Sequence, residues 1–243
     1  MRVLPILFNT EMVRANLDGR KTCTRRLVSS RQFLGMLPDK CKNTAPDEFL
    51  KGKRMMFKPY CDMTDAELIM TVYKAPYEPG DILYVRETWQ CWRAHRYEAT
   101  ADIRFRAGGD DVRLQFANGN TDSINRLDYD TFVHKWFSHN GKWKPSIHMP
   151  KEAARIWLKV TDVRVERLQE ITEDGAKAEG AIDNRGFIHS TENEYDSIHT
   201  AREHFAEIWN NTIKKSDLER YGWDANPYVF VIEFERCEKP EGV

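Results

Sequence analysis

The sequence predicts an α+β fold, in which several β-strands combine with a few short helices. The longest alternation of apolar and polar residues lies in "ARIWLKVTDVRVERL", which begins at Ala154. A second strand pattern, "PYVFVIEFE", begins at Pro227. Helical spacing of apolar residues is confined to short stretches between such runs. Strands and helices therefore do not alternate regularly, as they would in a doubly wound parallel sheet.

The N-terminal part predicts one strand and one helix. Residues 4–8, "LPILF", form a short apolar run typical of a buried strand. Thr10 is a candidate N-cap for the helix that follows, and Gly19 is a suitable residue to end it. Residues 28–58 show no periodicity, so we expect a long loop or an insertion there.

The middle of the chain predicts a turn, a strand and a hairpin. Pro79-Gly80-Asp81 favours a turn, and "ILYVRE" after it is rich in strand-forming residues. The runs "DIRFRA" and "VRLQF" flank Gly108 and Gly109, which is the pattern of a β-hairpin. Residues 118–144 carry aromatic residues and histidines and are expected to form part of a further insertion.

The C-terminal half predicts a short helix, a longer helix and a closing strand. In "ITEDGAKAEGA", Thr172 is a candidate N-cap and Gly180 a suitable end. Phe205, Trp209 and Ile213 stand at helical spacing in "REHFAEIWNNTIKK". The run after Pro227 completes the set of strands, and no internal repeat is present.

Composition excludes some classes of function. Charged residues make up 31% of the chain, but the net charge is only -1, so nucleic-acid binding would require a local basic patch. Five scattered cysteines indicate reduced thiols rather than a disulfide framework. No apolar run approaches the ~20 residues that span a bilayer, and no signal peptide is evident, so we expect a cytoplasmic protein without membrane contact.

A bound metal or other cofactor is not predicted. Cys91 and His95 have the spacing of a helical pair of ligands, and His134 and His139 follow later in the chain. The sequence has no CxxC motif and no carboxylate–histidine signature. With seven histidines and five cysteines in the chain, such spacings are expected by chance.

The segment "DGRKTCTRR", residues 18–26, concentrates four cations around two threonines and one cysteine. It is either a solvated turn, whose cations complement the dipole of the preceding helix, or a site that holds an anion. In a regular strand Lys21 would point away from Thr22, Thr24 and Arg26. Joint action of Lys21 and Thr24 would therefore require a bend.

Arg86, Glu87 and Trp89 form a second candidate group on the strand "YVRETW". Arg86 and Glu87 face opposite sides of this strand, and Glu87 shares its face with Trp89. Glu87 is either exposed at an edge or buried and paired, because a buried unpaired carboxylate is costly. Trp89 is a candidate for base stacking, and the alternative is a place in the core.

The four fragments "DGRKTCTRR", "PGDILYVRE", "IWLKVTDVRVERLQEITEDGAKAEG" and "PYVFVIEFERC" together resemble the ASCH domain family. They occur in the order seen in small bacterial ASCH enzymes that hydrolyse N4-acetylcytidine. The chain is also similar to larger phage and prophage ASCH proteins. The resemblance covers less than half of the chain, which is much longer than the minimal enzymes.

The resemblance implies a fold and a domain organisation. ASCH domains have a PUA-like β-barrel with flanking helices. The chain is accordingly expected to be a single ASCH domain over residues 1–243, with insertions near residues 28–75 and 90–143.

The resemblance also implies an activity. It places the catalytic residues at Lys21, Thr24 and Glu179. The threonine would attack an amide carbonyl, the lysine would activate it, and the glutamate would assist proton transfer on an N4-acylated cytidine-like substrate. Contacts to a nucleoside or RNA are expected from a set of nearby residues, namely Arg25, Arg26, Arg86, Glu87 and Trp89.

Two alternatives stay open at this stage. The chain could be a non-catalytic nucleic-acid-binding module of phage or prophage origin, because fold does not determine function. It could also be a phage factor that acts on a host protein. The near-neutral charge favours a small ligand over a long nucleic acid.

Overall fold

The computed structural model describes residues 1–29, 64, 67, 69–70, 73–116, 128–137, 141–185 and 199–242. Its mixed helices and strands, with two β-sheets, confirm the predicted α+β class. The chain divides into two compact units. Unit 1 comprises Met1–Gly19, Gly80–Lys159 and Glu235–Val243, and unit 2 comprises Arg20–Pro79 and Val160–Phe234. The expectation of one domain over residues 1–243 stays a prediction.

The described part of the chain contains eight strands and five α-helices. The strands are β1 (Val3–Leu7), β2 (Cys23–Leu27), β3 (Ile82–Arg86), β4 (Trp89–His95), β5 (Thr100–Phe105), β6 (Val112–Gln115), β7 (Trp157–Arg167) and β8 (Tyr228–Cys237). The helices are α1 (Thr10–Leu17), α2 (Tyr129–Trp136), α3 (Glu173–Ala178), α4 (Ala201–Thr212) and α5 (Leu218–Tyr221). Short 3-10 turns link several of them.

The larger sheet has five strands in the order β1-β3-β7-β8-β2. Strand β1 runs parallel to β3, whereas β3 is antiparallel to β7 and β2 is antiparallel to β8. Within the described strands this pairing does not close a barrel. The PUA-like barrel therefore stays a prediction.

Unit 1 contains the smaller sheet, β4-β5-β6, and its core. The predicted hairpin is confirmed, because β5 pairs with β6 from Thr100↔Gln115 to Ile103↔Val112. One face of this sheet packs inward through apolar residues such as Ile103 and Leu114. The predicted insertion at residues 90–143 thus holds most of this sheet and helix α2. Most of the other predicted insertion, residues 28–75, lies outside the described residues.

Unit 2 packs α3 and α4 onto β8 through an apolar cluster. Phe205 and Trp209 of α4 are buried in it, as their helical spacing predicted. Helix α4 begins with a capping box, in which the Thr200 hydroxyl accepts from the Glu203 N–H and the Glu203 carboxylate accepts from the Thr200 N–H. The packing holds α3 beside β2, so that the end of α3 meets the start of β2.

Helix starts were predicted correctly at one position and wrongly at another. Thr172 is the N-cap of α3, since its hydroxyl accepts from the Gly175 N–H at 3.0 Å. For α1 the N-cap is Asn9 rather than Thr10, because the Asn9 side chain accepts from the Met12 N–H at 2.8 Å. Both residue types cap helices well, so residue type alone does not distinguish them.

None of the helices in the described ranges is both long and apolar enough to cross a bilayer.

Candidate functional site

Lys21 and Glu179 form a buried ion pair in unit 2. Lys21 lies just before β2, and Glu179 is the C-cap residue of α3. The Lys21 Nζ atom is 2.7 Å from Glu179 Oε2, and the two side chains are 0% and 4% exposed. The structure therefore brings together two of the three catalytic residues that the ASCH resemblance implies.

The Lys21 ammonium has an acceptor for each of its three N–H groups. It donates to the Cys23 carbonyl at 2.8 Å and to the Glu179 carbonyl at 2.9 Å, in addition to the carboxylate. The Thr22 N–H donates to the Ala178 carbonyl at 2.8 Å, which ties the start of β2 to the end of α3. These bonds fix a buried charge in one geometry and offset its desolvation.

Arg25 is a second cation on the same carboxylate. One guanidinium nitrogen is 3.5 Å from Glu179 Oε1, and another is 3.1 Å from Glu166 Oε2. The guanidinium carbon lies 5.9 Å from the centre of the Phe205 ring, and the side chain is only 3% exposed. In this conformation Arg25 pairs within unit 2 rather than presenting its charge to a phosphate, so its structural role is to position Glu179.

One oxygen of Glu179 has no hydrogen bond within the described part of the chain. Oε1 is buried, and the Arg25 guanidinium lies 3.5 Å from it in a long ion pair. Buried carboxylate oxygens normally accept hydrogen bonds, so an unsatisfied one requires an explanation. Oε1 can accept a hydrogen bond or a proton from a group that enters the site.

Thr24 is buried at 1% exposure, but it points away from the ion pair. Cys23 and Arg25 share one face of β2, and alternation places the Thr24 side chain on the other. Among the described residues its hydroxyl makes no hydrogen bond. The Cys23 carbonyl, which belongs to the peptide bond that precedes Thr24, accepts a hydrogen bond from Lys21.

The other two arginines of the basic segment take different positions. Arg20 donates to the Gly180 carbonyl at 3.1 Å and so binds the segment to the end of α3. Arg26 is half-buried, shares the face of Thr24 and pairs in register with Phe230 of β8. A solvated turn therefore does not describe this segment, because much of it is buried.

Cys23 is a thiol held unreactive beside the ion pair. Burial raises its pKa to about 12, the Glu179 carboxylate adds to the rise, and Lys21 and Arg25 oppose it. The thiolate is the form that reacts with alkylating agents, so it is scarce at neutral pH.

We expect Cys23 in the native protein to resist iodoacetamide at about pH 8. Unfolding in urea should make it reactive, because burial is the main cause of the raised pKa. Peptide mapping by mass spectrometry follows Cys23 separately from the other cysteines. Rapid native alkylation of Cys23 would contradict the burial of this site.

Glu87 is buried and paired, so it does not occupy an exposed edge position. In unit 1 its two oxygens accept from Arg155 Nε and Nη2, each at 2.9 Å. Burial raises the pKa of the Glu87 carboxyl, and Arg155 opposes the rise. The guanidinium also lies 4.1 Å from the Phe105 ring centre. Glu87 therefore anchors the core of unit 1, and nothing in this geometry presents it to a substrate.

Trp89 and Arg86 differ in accessibility. Trp89 is 0% exposed, and its ring contacts Phe132 and Trp136, so its place is in the core rather than on a stacking surface. Arg86 is half-buried and donates to the Ile147 carbonyl and the Tyr84 hydroxyl, both at 3.3 Å. Arg86 has no carboxylate partner among the described residues.

Gly109 marks the close approach of the β5–β6 turn to Arg155. Both Gly108 and Gly109 have positive φ, but only at Gly109 would a Cβ meet Arg155, at 2.7 Å from Nη1.

We expect Gly108→Ala to cost about 1 kcal/mol of stability from backbone strain alone. Gly109→Ala should cost about 1 kcal/mol more, because the guanidinium that holds Glu87 must also move. Urea denaturation compares the two, and equal losses would contradict the contact.

The described residues contain no group of three or more side chains suited to a metal. Cys91 and His95 lie on strand β4 rather than on a helix, so their spacing does not align them as a helical pair. His95 instead contacts Asp102 at 3.1 Å. His139 falls outside the described residues.

Two residues near the site were not predicted from sequence. Glu166 accepts from Arg25, and Arg164 donates to Glu166 Oε1 at 2.6 Å, which extends the charged network along β7. Their signal was the alternation of this strand, in which Arg164 and Glu166 alternate with the buried Val163 and Val165. Alternation shows that such residues share a face, but not which cation they meet.

The chain was compared with protein-family models, with curated proteins and with solved structures. None of the three comparisons gives a match.

Proposed function

We propose that this chain is an ASCH-type protein that binds an N-acylated nucleoside and hydrolyses its amide bond. Lys21 and Glu179 form the acid–base pair, and Thr24 is the nucleophile. The proposal includes the PUA-like fold that the sequence fragments resemble. A net charge of -1 favours a small, weakly charged substrate of this kind over a long polyanion.

The observation that carries the proposal is the environment of Glu179. Two residues that are 158 positions apart in sequence meet at 2.7 Å in a buried pair, and they are the lysine and glutamate of the ASCH pattern. Among the residues that the structure describes, none donates a hydrogen bond to Glu179 Oε1. A purely structural ion pair would gain from satisfying that oxygen. An unsatisfied, buried carboxylate oxygen is suited to receiving a proton.

The chemistry follows from the contacts. Lys21 passes a proton to Glu179 and, as a neutral amine, takes the proton of the Thr24 hydroxyl, which attacks the acyl carbon. The bond between that carbon and the N4 atom breaks, and the departing amine takes a proton from the pair. Water then cleaves the acyl-threonine ester. The sum is amide plus water giving the carboxylic acid and the free nucleoside.

The proposed role of Thr24 requires a conformational change near this residue. Its hydroxyl lies on the opposite face of β2 from Arg25, so its approach to Lys21 requires a local change at the Cys23–Thr24 peptide. Catalytic hydrogen bonds are often formed only in the substrate complex. Substitution of Thr24 is therefore the most direct test of the mechanism.

The test is release of cytidine from N4-acetylcytidine, followed by chromatography. Wild-type protein should turn the substrate over, and Thr24→Ala should lose at least about 100-fold in kcat, because no acyl-threonine can form. Thr24→Ser keeps the hydroxyl and should retain most of the activity. Thr161→Ala, at an exposed position of β7, is the matched control for a lost threonine.

Three outcomes separate the alternatives. If the wild-type protein is inactive, the hydrolase function is rejected, and the non-catalytic nucleic-acid-binding module is the alternative that remains. Activity that survives Thr24→Ala rejects the threonine as nucleophile. Activity lost in Thr24→Ala and retained in Thr24→Ser and Thr161→Ala supports the mechanism.

A further inference from the structure

Two carboxylates in unit 2 share the Arg25 guanidinium. Arg25 Nη2 donates to Glu166 Oε2 at 3.1 Å, whereas Arg25 Nη1 lies 3.5 Å from Glu179 Oε1. Hydrogen bonds between an N–H group and an oxygen have lengths of about 2.7–3.2 Å, so only the contact with Glu166 is one. Glu166 therefore binds Arg25 more tightly than Glu179 does.

Glu166 is itself held at its other carboxylate oxygen. Arg164 Nε donates to Glu166 Oε1 at 2.6 Å, and Arg164 also pairs with Glu233 of β8. Because Arg164 fixes Glu166, this carboxylate cannot follow the Arg25 guanidinium when the guanidinium turns towards Glu179. Such a turn would lengthen the hydrogen bond between Arg25 and Glu166.

Arg25 has little room on its other sides. Its side chain is 3% exposed, and its guanidinium carbon lies 5.9 Å from the centre of the Phe205 ring. Gly175 of α3 lies beside it, since a Cβ there would be 3.6 Å from Arg25 Nη2. Within the described part of the chain, Arg25 Nε has no hydrogen-bond partner. The guanidinium is therefore limited to small shifts between the two carboxylates.

We propose that Glu166 is a positioning residue that keeps Arg25 from closing on Glu179 Oε1. This competition accounts for a buried carboxylate oxygen that accepts no hydrogen bond from the described residues. A small shift of Arg25 Nη1 would complete that hydrogen bond, and Oε1 would then be less able to receive a proton. The catalytic consequence rests on the proposed hydrolase function, whereas the positioning of Arg25 does not depend on any activity.

The opposite role for Glu166 makes a different prediction. If Glu166 orients Arg25 towards Glu179, the two ion pairs support each other, and removal of Glu166 weakens the pair at Glu179. If Glu166 competes for Arg25, its removal strengthens that pair. The sign of the coupling in a double-mutant cycle distinguishes the two roles.

The experiment measures the urea midpoint of unfolding by circular dichroism for the wild type, Glu166→Gln, Glu179→Gln and the double variant. Glutamine keeps the shape of glutamate but is a neutral, weaker acceptor. We expect Glu179→Gln to lower the midpoint more in the Glu166→Gln background than in the wild type. In that background Glu179 is the only carboxylate among the described residues that still pairs with Arg25. An equal or smaller lowering would overturn the proposal.

Glu233→Gln is the matched control for the loss of a nearby carboxylate. Glu233 lies on β8, the neighbour of β2, and it pairs with Arg164. In the Glu233→Gln background, Glu179→Gln should lower the midpoint as much as it does in the wild type. If Glu233→Gln enlarges the effect as much as Glu166→Gln does, general charge repulsion explains the coupling and the proposal fails.

Crystal structures of the wild type and Glu166→Gln test the geometry directly, and they serve equally where Glu179→Gln does not fold. In Glu166→Gln the distance from Arg25 Nη1 to Glu179 Oε1 should shorten from 3.5 Å to about 2.9 Å, the length of a charge-assisted hydrogen bond. A distance that stays the same in both structures would contradict the competition.

Hydrolysis of N4-acetylcytidine tests the catalytic consequence. The kcat of Glu166→Gln should be about tenfold below that of the wild type, with KM little changed, because only proton transfer to Oε1 is impeded. A wild-type kcat in Glu166→Gln would overturn this consequence. If the wild-type protein is inactive, the hydrolase function is rejected, and the midpoints and crystal structures still decide whether Glu166 positions Arg25.

Discussion

Lys21→Met is expected to destabilise the protein by about 3–5 kcal/mol, because it leaves a buried carboxylate with one long ion pair. Lys21 has no exposed side-chain surface, and it supplies the only hydrogen bond to the Glu179 carboxylate within the described residues. The remaining cation, Arg25, is 3.5 Å from Glu179. Urea denaturation followed by circular dichroism measures the loss.

Two further variants make this result specific. Lys177→Met, at a half-exposed position of α3, the helix whose C-cap is Glu179, should change stability by no more than about 0.5 kcal/mol. The double variant Lys21→Met plus Glu179→Met should be more stable than Lys21→Met alone, because the unpaired charge is gone. If Lys21→Met costs no more than Lys177→Met, the buried pair does not form.

Arg155→Met is the second large effect, expected at about 3–5 kcal/mol near neutral pH. It removes both hydrogen bonds to the Glu87 carboxylate, whose side chain is 1% exposed. Arg113→Met is the control, because Arg113 also pairs with a carboxylate but is 57% exposed. Its loss should be about 1 kcal/mol or less.

The pH dependence of the Arg155→Met loss gives a sharper test. Burial already raises the pKa of Glu87 in the native protein, and removing Arg155 raises it further. A carboxyl whose pKa is raised in the native protein contributes its full stability at pH values below its pKa in the unfolded chain. That contribution is lost as the pH rises through the native pKa. The stability deficit of Arg155→Met should therefore shrink as the pH is lowered from the native pKa of Glu87 towards its pKa in the unfolded chain. A deficit that does not change with pH would contradict the pairing.

Local patterns predicted most of the secondary structure. The alternation around Val163 and Val165 gave β7, and the helical spacing of Phe205 and Trp209 gave α4, because burial imposes these periods directly. The N-cap of α1 was missed by one residue, since adjacent asparagine and threonine are both suitable caps. Such boundaries depend on neighbouring elements.

The candidate site was predictable only in part. No local pattern links Lys21 to Glu179, and the ASCH resemblance alone indicated that they meet. The sequence left Glu87 either exposed at an edge or buried and paired, and it did not identify Arg155 as the partner, because the chain offers many cations. Arg25 was expected to meet a phosphate, whereas it meets Glu166 and Glu179 inside unit 2.

We propose that Glu179 moves a proton and does more than neutralise Lys21. The direct measurement is kcat for N4-acetylcytidine hydrolysis by Glu179→Gln, with its stability measured in parallel. The amide keeps the shape and can still accept from Lys21, but it cannot take a proton. We predict a folded variant with kcat reduced at least about 100-fold. A folded Glu179→Gln variant with the kcat of the wild type would contradict the claim.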